Sequence, residues 1–437
     1  MRIDSLTLTN FKCFAERTFS LGPRFTLFIG DNGKGKTAVL DALTVGAGAW
    51  LLGFPGVPTR PISRSEVRRV SYLHDDIATL EPQTPCVVSC EGEVAGRRIE
   101  WRRELRAPTP AARTTWRDAK SIGDLARASG AQMRAGGDMI LPVVSYYGTG
   151  RLWVQRQSRP PAAFGRGSRV RGYQDCLDPR SDAKQLISWF KTYEFSAHQR
   201  ERRSEALEAV RQAVLACIPD ARRLYYDPLG EDDLMLEVES QALPFSLLSD
   251  GYRNMLGMVA DIAWRAATLN PHLKGETVRE TPGVVLIDEV DLHLHPKWQR
   301  LVVGALLDTF PRIQFVGTTH SPFIIQSVER RDGVELVNLD GLDTQVESRS
   351  IEEIAEENQG VEGVERSQRF QQMLRAAEEY YQVLDRAKTA AAPEVEDYKR
   401  RLDKLLEPYA DDPAYAALLR MQRIGAGLNG EEQDASR

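Results

Sequence analysis

Cysteine is scarce in this sequence, with five among 437 residues: Cys13, Cys86, Cys90, Cys176 and Cys217. They are scattered, odd in number and nowhere spaced as Cys-x-x-Cys, which argues against both a disulfide framework and a thiolate zinc site. A reducing, cytoplasmic setting is the expectation. No run of 18 apolar residues occurs, so neither a membrane-spanning helix nor a membrane partner is expected. The opening MRIDSLTLTNFKCF alternates apolar and polar residues and lacks the layout of a cleavable signal. Internal repeats and sustained heptads are also missing, which excludes a solenoid and an extended coiled coil. What remains is 42% hydrophobic and 27% charged, an ordinary balance for a chain able to bury a substantial core.

Charge is present in both signs but unevenly placed. The formal net charge is -5, yet Arg97 to Arg171 holds sixteen basic against five acidic residues. From Ser350 to Arg437 the balance reverses, with nineteen acidic against twelve basic. A basic middle and an acidic tail suit different partners, or two ordinary solvated faces.

The pattern along the chain alternates strand with helix. Strands are expected at IDSLTLTNF, RTFSL and FTLFIG, and a helix over Thr37–Trp50. A Gly/Pro linker is expected at 51–65, a hairpin from TPCVVSCEGEVAG and RRIEWRRELRA, and a buried strand in MILPVVSYYG. Residues 151–180 read as a surface loop, and Ala183–Ile218 as helical. Strands RRLYYD and DLMLEVES, the helix GYRNMLGMVADIAWRAATL, the strand GVVLIDE, a helix over Pro296–Thr309 and the strand RIQFVGTTH follow. Short Val/Ile runs separated by helices predict an α/β fold whose mostly parallel sheet is covered by helices. From Ile351 to Leu419 the pattern is helical.

Two motifs carry chemistry. Gly30-Asp31-Asn32-Gly33-Lys34-Gly35-Lys36-Thr37 matches GxxxxGK[ST], with an apolar strand before it and a helix after. Glycines in such a loop let backbone N–H groups turn to a phosphate, Lys36 reaches the β/γ oxygens and the Thr37 hydroxyl ligates Mg²⁺. ATP with Mg²⁺ is therefore the expected ligand. Gly283-Val284-Val285-Leu286-Ile287-Asp288-Glu289 is an apolar strand ending in two acids, as a Walker B element requires. There Asp288 would hold Mg²⁺ and Glu289 would polarise the attacking water.

Three further segments, in order, resemble those of ABC-type ATPases. Leu248-Ser249-Asp250-Gly251-Tyr252 resembles the LSxGx signature. Val290-Asp291-Leu292-His293-Leu294-His295-Pro296 is similar to the D-loop region of the compact, non-transporter branch. Thr318-Thr319-His320-Ser321 looks like the switch-histidine segment, and LTNFKCF is similar to the opening strand of the RecF/SMC-like branch. The resemblance implies that Ser249 and Gly251 meet the nucleotide of another copy, that His320 senses its γ-phosphate, and that two heads enclose two ATP. A homodimer or higher even-numbered oligomer follows. Taken alone, Ser249 would be a plain helix N-cap. His293 and His295 lack an accompanying cysteine or carboxylate cluster, and no metal is expected at them.

One element of the resembled pattern is missing: no glutamine ends the strand LPVVSYYGTGRLW, where Tyr147, Thr149 and Arg151 stand and Gln155 and Gln157 come later. The arginines 151, 156, 159, 166, 169 and 171, interleaved with Trp153, Phe164 and Tyr173, suit phosphates and stacked bases of nucleic acid, or the acidic tail of a neighbouring copy. The expected organisation is an N-terminal lobe 1–150, an Arg-rich loop and helical insertion 151–230, a C-terminal lobe 231–345 and an acidic helical appendage 346–437 for docking. Tyr147-Gly148-Thr149-Gly150-Arg151-Leu152-Trp153, Arg171-Gly172-Tyr173 and IDEVDLHLHP resemble the ATPases of Septu and retron-associated anti-phage systems. That resemblance implies a separate HNH nuclease effector. The alternatives are a RecF-like repair ATPase acting directly on DNA, and a clamp that scarcely turns ATP over.

Overall fold

The computed structural model describes residues 1–359 except 75–76, 110, 152–167, 180–182, 200–203, 329–330, 343 and 345–348. Beyond these it describes 360, 379–386, 397, 400–401, 403–404 and 421. Contacts divide the chain into two units, Met1–Gln359 and Gly360–Arg437. In the second, residues 379–386 are helical, and most of the remaining appendage expected to be helical lies outside the described residues.

The first unit begins with β1 (Arg2–Phe11), β2 (Phe14–Ser20), β3 (Phe25–Ile29) and α1 (Lys36–Ala47). There follow β4 (Arg69–His74), β5 (Ile77–Pro82), β6 (Cys86–Val94), β7 (Arg97–Leu105), α2 (Lys120–Arg134) and β8 (Val143–Tyr147). The middle comprises α3 (Ala183–Gln199), α4 (Glu205–Cys217), β9 (Ala221–Asp227), β10 (Asp233–Val238), β11 (Gln241–Pro244) and α5 (Asp250–Leu269). It closes with α6 (Thr277–Glu280), β12 (Gly283–Ile287), α7 (Pro296–Thr309), β13 (Ile313–Thr318), α8 (Pro322–Ser327) and β14 (Val334–Asn338).

The strands β3, β8, β12 and β13 are buried along their whole length, which is why they read as uninterrupted apolar runs. They form a parallel sheet in the order β14-β3-β13-β12-β8. A second, antiparallel sheet runs β2-β1-β6-β7. Helix α1 packs against both, touching β12 and β13 on one side and β1, β6 and β7 on the other. The sheets are also tied by Gln314 of β13. Its Oε1 accepts from Ile3 N–H at 2.8 Å, and its Nε2 donates to Ile3 O at 2.7 Å and Gly22 O at 2.8 Å. On the far side, α4 packs on α5 and α7, and α5 on β8. Short antiparallel pieces, β11-β10-β9 and β4-β5, complete the described sheets.

Two expectations need correction. Residues 51–65 are no linker: a short helical turn over Gly48–Gly53 buries Trp50 and Leu51, packs against α2, and Phe54 and Ile62 are buried after it. Within the expected loop 151–180, Arg169–Tyr173 forms a turn of helix against α5 with Val170 and Tyr173 inside. In both places Gly, Pro and Arg mask a scatter of large apolar anchors without period. No helix among the described residues is long and apolar enough to cross a membrane.

Candidate nucleotide site

The loop from Gly30 to Gly35 joins the buried end of β3 to the start of α1. Gly30, Gly33 and Gly35 all have positive φ (141°, 84° and 102°). The clearest demand falls on Gly35, the N-cap of α1. Its backbone is left-handed, and a Cβ there would meet Cys13 Sγ and the Phe14 ring at 2.6 Å. No side chain caps α1, so its first N–H groups stay open to an anion. Lys36 lies across the loop, its Nζ donating to Gly30 O at 2.6 Å and Asp31 O at 2.9 Å. Burial holds its ammonium below the usual lysine range, against the opposing pull of Asp340, Asp288, Asp31 and Glu289.

The parallel sheet brings the second motif alongside. Thr37 Oγ1 donates to Asp288 Oδ2 at 3.0 Å, and Thr318 Oγ1 donates to Asp288 Oδ1 at 2.6 Å. The same Thr318 oxygen accepts from Glu289 N–H at 2.8 Å. A hydroxyl and a carboxylate meeting this way suit a Mg²⁺ that takes its other ligands from phosphate and water. Glu289 sits in left-handed backbone (φ 50°), a conformation costing a non-glycine residue on the order of 1–3 kcal/mol. Burial raises its carboxyl pKa above the ordinary value, helped by Asp288 and Asp291 and opposed by His320 and Arg151. His320 lies exposed two residues past β13, near enough to Glu289 to act on its charge. Thr319 Oγ1 donates to Asp291, and the Ser321 hydroxyl donates to Gln299 Oε1 at 2.6 Å.

Ser249 occupies the N-cap position of α5, yet its side chain accepts no bond from that helix and is exposed. Gly251 is a close-approach position: a Cβ there would stand 2.8 Å from His293 O, so the signature turn lies directly on the segment after Asp288-Glu289. His295 caps α7, its Nδ1 accepting from Lys297 N–H at 3.2 Å, a structural use of that ring.

Two contributors carry no motif. Asp340, just past β14, accepts from Asp31 N–H at 2.7 Å and pairs with Lys34 Nζ at 3.1 Å. Arg151 is 4% exposed and is one of the residues, with Tyr147 and Thr149, found where the resembled pattern would have a glutamine. Its guanidinium donates to Asp288 O, Glu289 O, Gly148 O and Asn254 Oδ1 at 2.6–3.0 Å. The hydrogen bonds reveal what these residues do, because apart from Gly148 their partners lie 103 to 309 residues away.

The basic stretch Arg97–Arg171 divides between residues engaged within the fold and an exposed remainder that includes Arg97, Arg98, Arg106, Arg117, Arg127 and Arg134. Arg103 and Arg169 donate to the carbonyls of Thr115 and Leu269. Arg98, Arg102, Arg106 and Arg127 pair with Glu91, Glu104 and Asp124. Tyr173, expected as a stacking platform, is core instead. Its hydroxyl accepts from Trp50 Nε1 at 2.8 Å and donates to Pro142 O at 2.9 Å. Arg156, Arg159, Arg166, Trp153, Phe164, Gln155 and Gln157 lie outside the described residues.

Two family models match the chain: an AAA domain over residues 5–220, and an AAA domain described as a putative AbiEii toxin of a type IV toxin–antitoxin system over 175–326. Together the two matches span residues 5–326, which hold the Gly30–Thr37 loop and the Asp288-Glu289 strand end, and over this range the chain is similar to AAA-type P-loop ATPases. Its relatives give the closer bearing. The chain is 46% identical over 91 residues to a Vibrio cholerae protein named Retron Vc95 probable ATPase, covering 21% of this chain and 17% of that one. It is 37% identical over 131 residues to Retron Ec83 probable ATPase of Escherichia coli, covering 30% and 23%. It is 38% identical over 81 residues to the Septu protein PtuA of Bacillus mycoides, covering 18% and 11%. The matched stretches thus span less than a quarter of each of these relatives.

Proposed function

We propose that the chain binds and hydrolyses ATP with Mg²⁺, that two heads close on two nucleotides, and that the closed heads regulate a separate effector nuclease in anti-phage defence. The hydrogen-bonded run Thr37–Asp288–Thr318–Glu289 carries this reading, since it joins both motifs at one end of the parallel sheet. Bound Mg²⁺ would supply positive charge to the β/γ oxygens, held by the Thr37 hydroxyl and the Asp288 carboxylate. Lys36 and the open N–H groups of α1 bind the phosphates from the other side. Glu289 orients a water and takes its proton, and His320 contacts the γ-phosphate. The uncapped, exposed Ser249 hydroxyl supports a role for the signature across a two-head interface. The relatives named for retron and Septu systems support the defence role. A RecF-like action on DNA is the second reading. Arg103, Arg151 and Arg169 are engaged inside the fold, but Arg97, Arg98, Arg106, Arg117, Arg127 and Arg134 are exposed and present positive charge to solvent.

Phosphate release and ATP affinity, measured for wild type, Lys36→Ala and Asp288→Asn, test the enzymatic part. Loss of turnover by roughly a hundredfold or more is expected in both variants. Phage plaque counts on cells carrying the chain with its genomic neighbours test the rest. Protection that survives both substitutions would sink the regulatory reading.

A further inference from the structure

The loop after β8 delivers a buried cation to the backbone around Glu289. Arg151 Nη1 donates to Asp288 O at 2.7 Å and to Gly148 O at 3.0 Å, and Nη2 donates to Glu289 O at 2.9 Å. Its Nε donates to Asn254 Oδ1 at 2.6 Å, and Asn254 Nδ2 donates onward to Leu292 O at 2.7 Å. Asn254 lies in the first turns of α5, the helix that opens at Ser249. Tyr147, the last residue of β8, is tied to that helix too: its Oη donates to Asp261 Oδ2 at 2.7 Å. A guanidinium reaches so many acceptors because its donors are fixed in one plane, and a buried cation is tolerated only when its donors are used.

These contacts converge on a strained backbone. Glu289 is left-handed; its N–H is held by Thr318 Oγ1, and its carbonyl accepts both from Arg151 and, within the turn, from Leu292 N–H at 3.0 Å. Such a turn persists only where its surroundings over-determine it. We infer that Arg151 is a positioning residue, which sets the Glu289 carboxylate by clamping the peptides on either side of it and locks that turn to the signature helix. The segment that meets a second head and the segment that activates water in this head then move as one body. This rests on the ATPase reading above.

The test compares wild type, Glu289→Gln, Arg151→Lys, Arg151→Met and Asn254→Ala in the full chain. Steady-state hydrolysis, affinity for a non-hydrolysable ATP analogue, and hydrogen exchange without nucleotide are measured for each. For the Arg151 variants kcat should fall by roughly tenfold or more while analogue affinity stays within about threefold. Exchange should quicken selectively at 289–292, with a smaller effect of the same kind for Asn254→Ala. Lysine, a point charge, cannot span the four acceptors and should rescue only weakly. A folded Arg151→Met with wild-type kcat and unchanged exchange at 289–292 overturns the inference. So does a loss of kcat that tracks exchange raised evenly across Met1–Gln359. Should wild type match Glu289→Gln in showing no hydrolysis, the ATPase reading fails, and the exchange result still decides the positioning claim.

Discussion

Ser249 stands at the N-cap of α5 and spends its hydroxyl on none of that helix's amides. An ordinary capping serine replaced by alanine costs about 1 kcal/mol of stability. Here Ser249→Ala should leave the melting free energy within about 0.5 kcal/mol of wild type while turnover falls by roughly tenfold or more. Calorimetry beside phosphate release separates the two roles. Asp340 bears on the same site from β14. Asp340→Asn keeps an acceptor for Asp31 N–H but removes a negative charge near the phosphates and frees Lys34, so ATP affinity should tighten by about threefold at low salt. Equal or weaker binding by titration would show that the carboxylate does not oppose nucleotide. Among the thiols, Cys13 is exposed, whereas burial pushes Cys86, Cys90, Cys176 and Cys217 up to about 12. Brief alkylation of native protein should add one label by mass, and five after denaturation. Lys36, Thr37, Asp288 and Glu289 were legible in the sequence because contiguous motifs state their own geometry. Asp340 was not, and Arg151 was visible only as an arginine at the end of its strand, because their partners are distant residues and main-chain groups that no spacing reveals.

Elements differed in legibility for a related reason. The strands β3, β8, β12 and β13 stand out because a parallel strand buried on both faces must be apolar throughout. Helix α7 was expected over Pro296–Thr309 and occupies that span, with proline at its first position. Less visible were β14, a five-residue edge strand of mixed burial, and α2, whose buried positions apart from Ile122 are small residues. The β4–β5 hairpin leaves Tyr72, Leu73 and Leu80 exposed and so lacks the alternation that marks a packed ribbon. Between elements, the joint most dependent on one side chain is Gln314, which satisfies three backbone groups of the neighbouring segments. Gln314→Leu should destabilise the first unit by about 2–4 kcal/mol, since it leaves buried polar groups unpaired. Chemical denaturation with an unchanged midpoint would show that the two sheets do not rely on it.

At the scale of the whole molecule, Met1–Gln359 brings the Gly30–Thr37 loop beside Asp288, and Ser249 stands exposed at the start of α5 without capping it. The central claim is that this site is completed by a second copy. It is tested most directly by the mass in solution of Glu289→Gln beside wild type, with and without ATP and Mg²⁺, together with phosphate release. Removing the catalytic carboxylate while keeping the phosphate loop should abolish hydrolysis and trap paired heads, so the variant's mass should double when ATP is added. Hydrolysis by Glu289→Gln at the wild-type rate, or an ATP-saturated variant that keeps the mass of a single chain, would contradict the account.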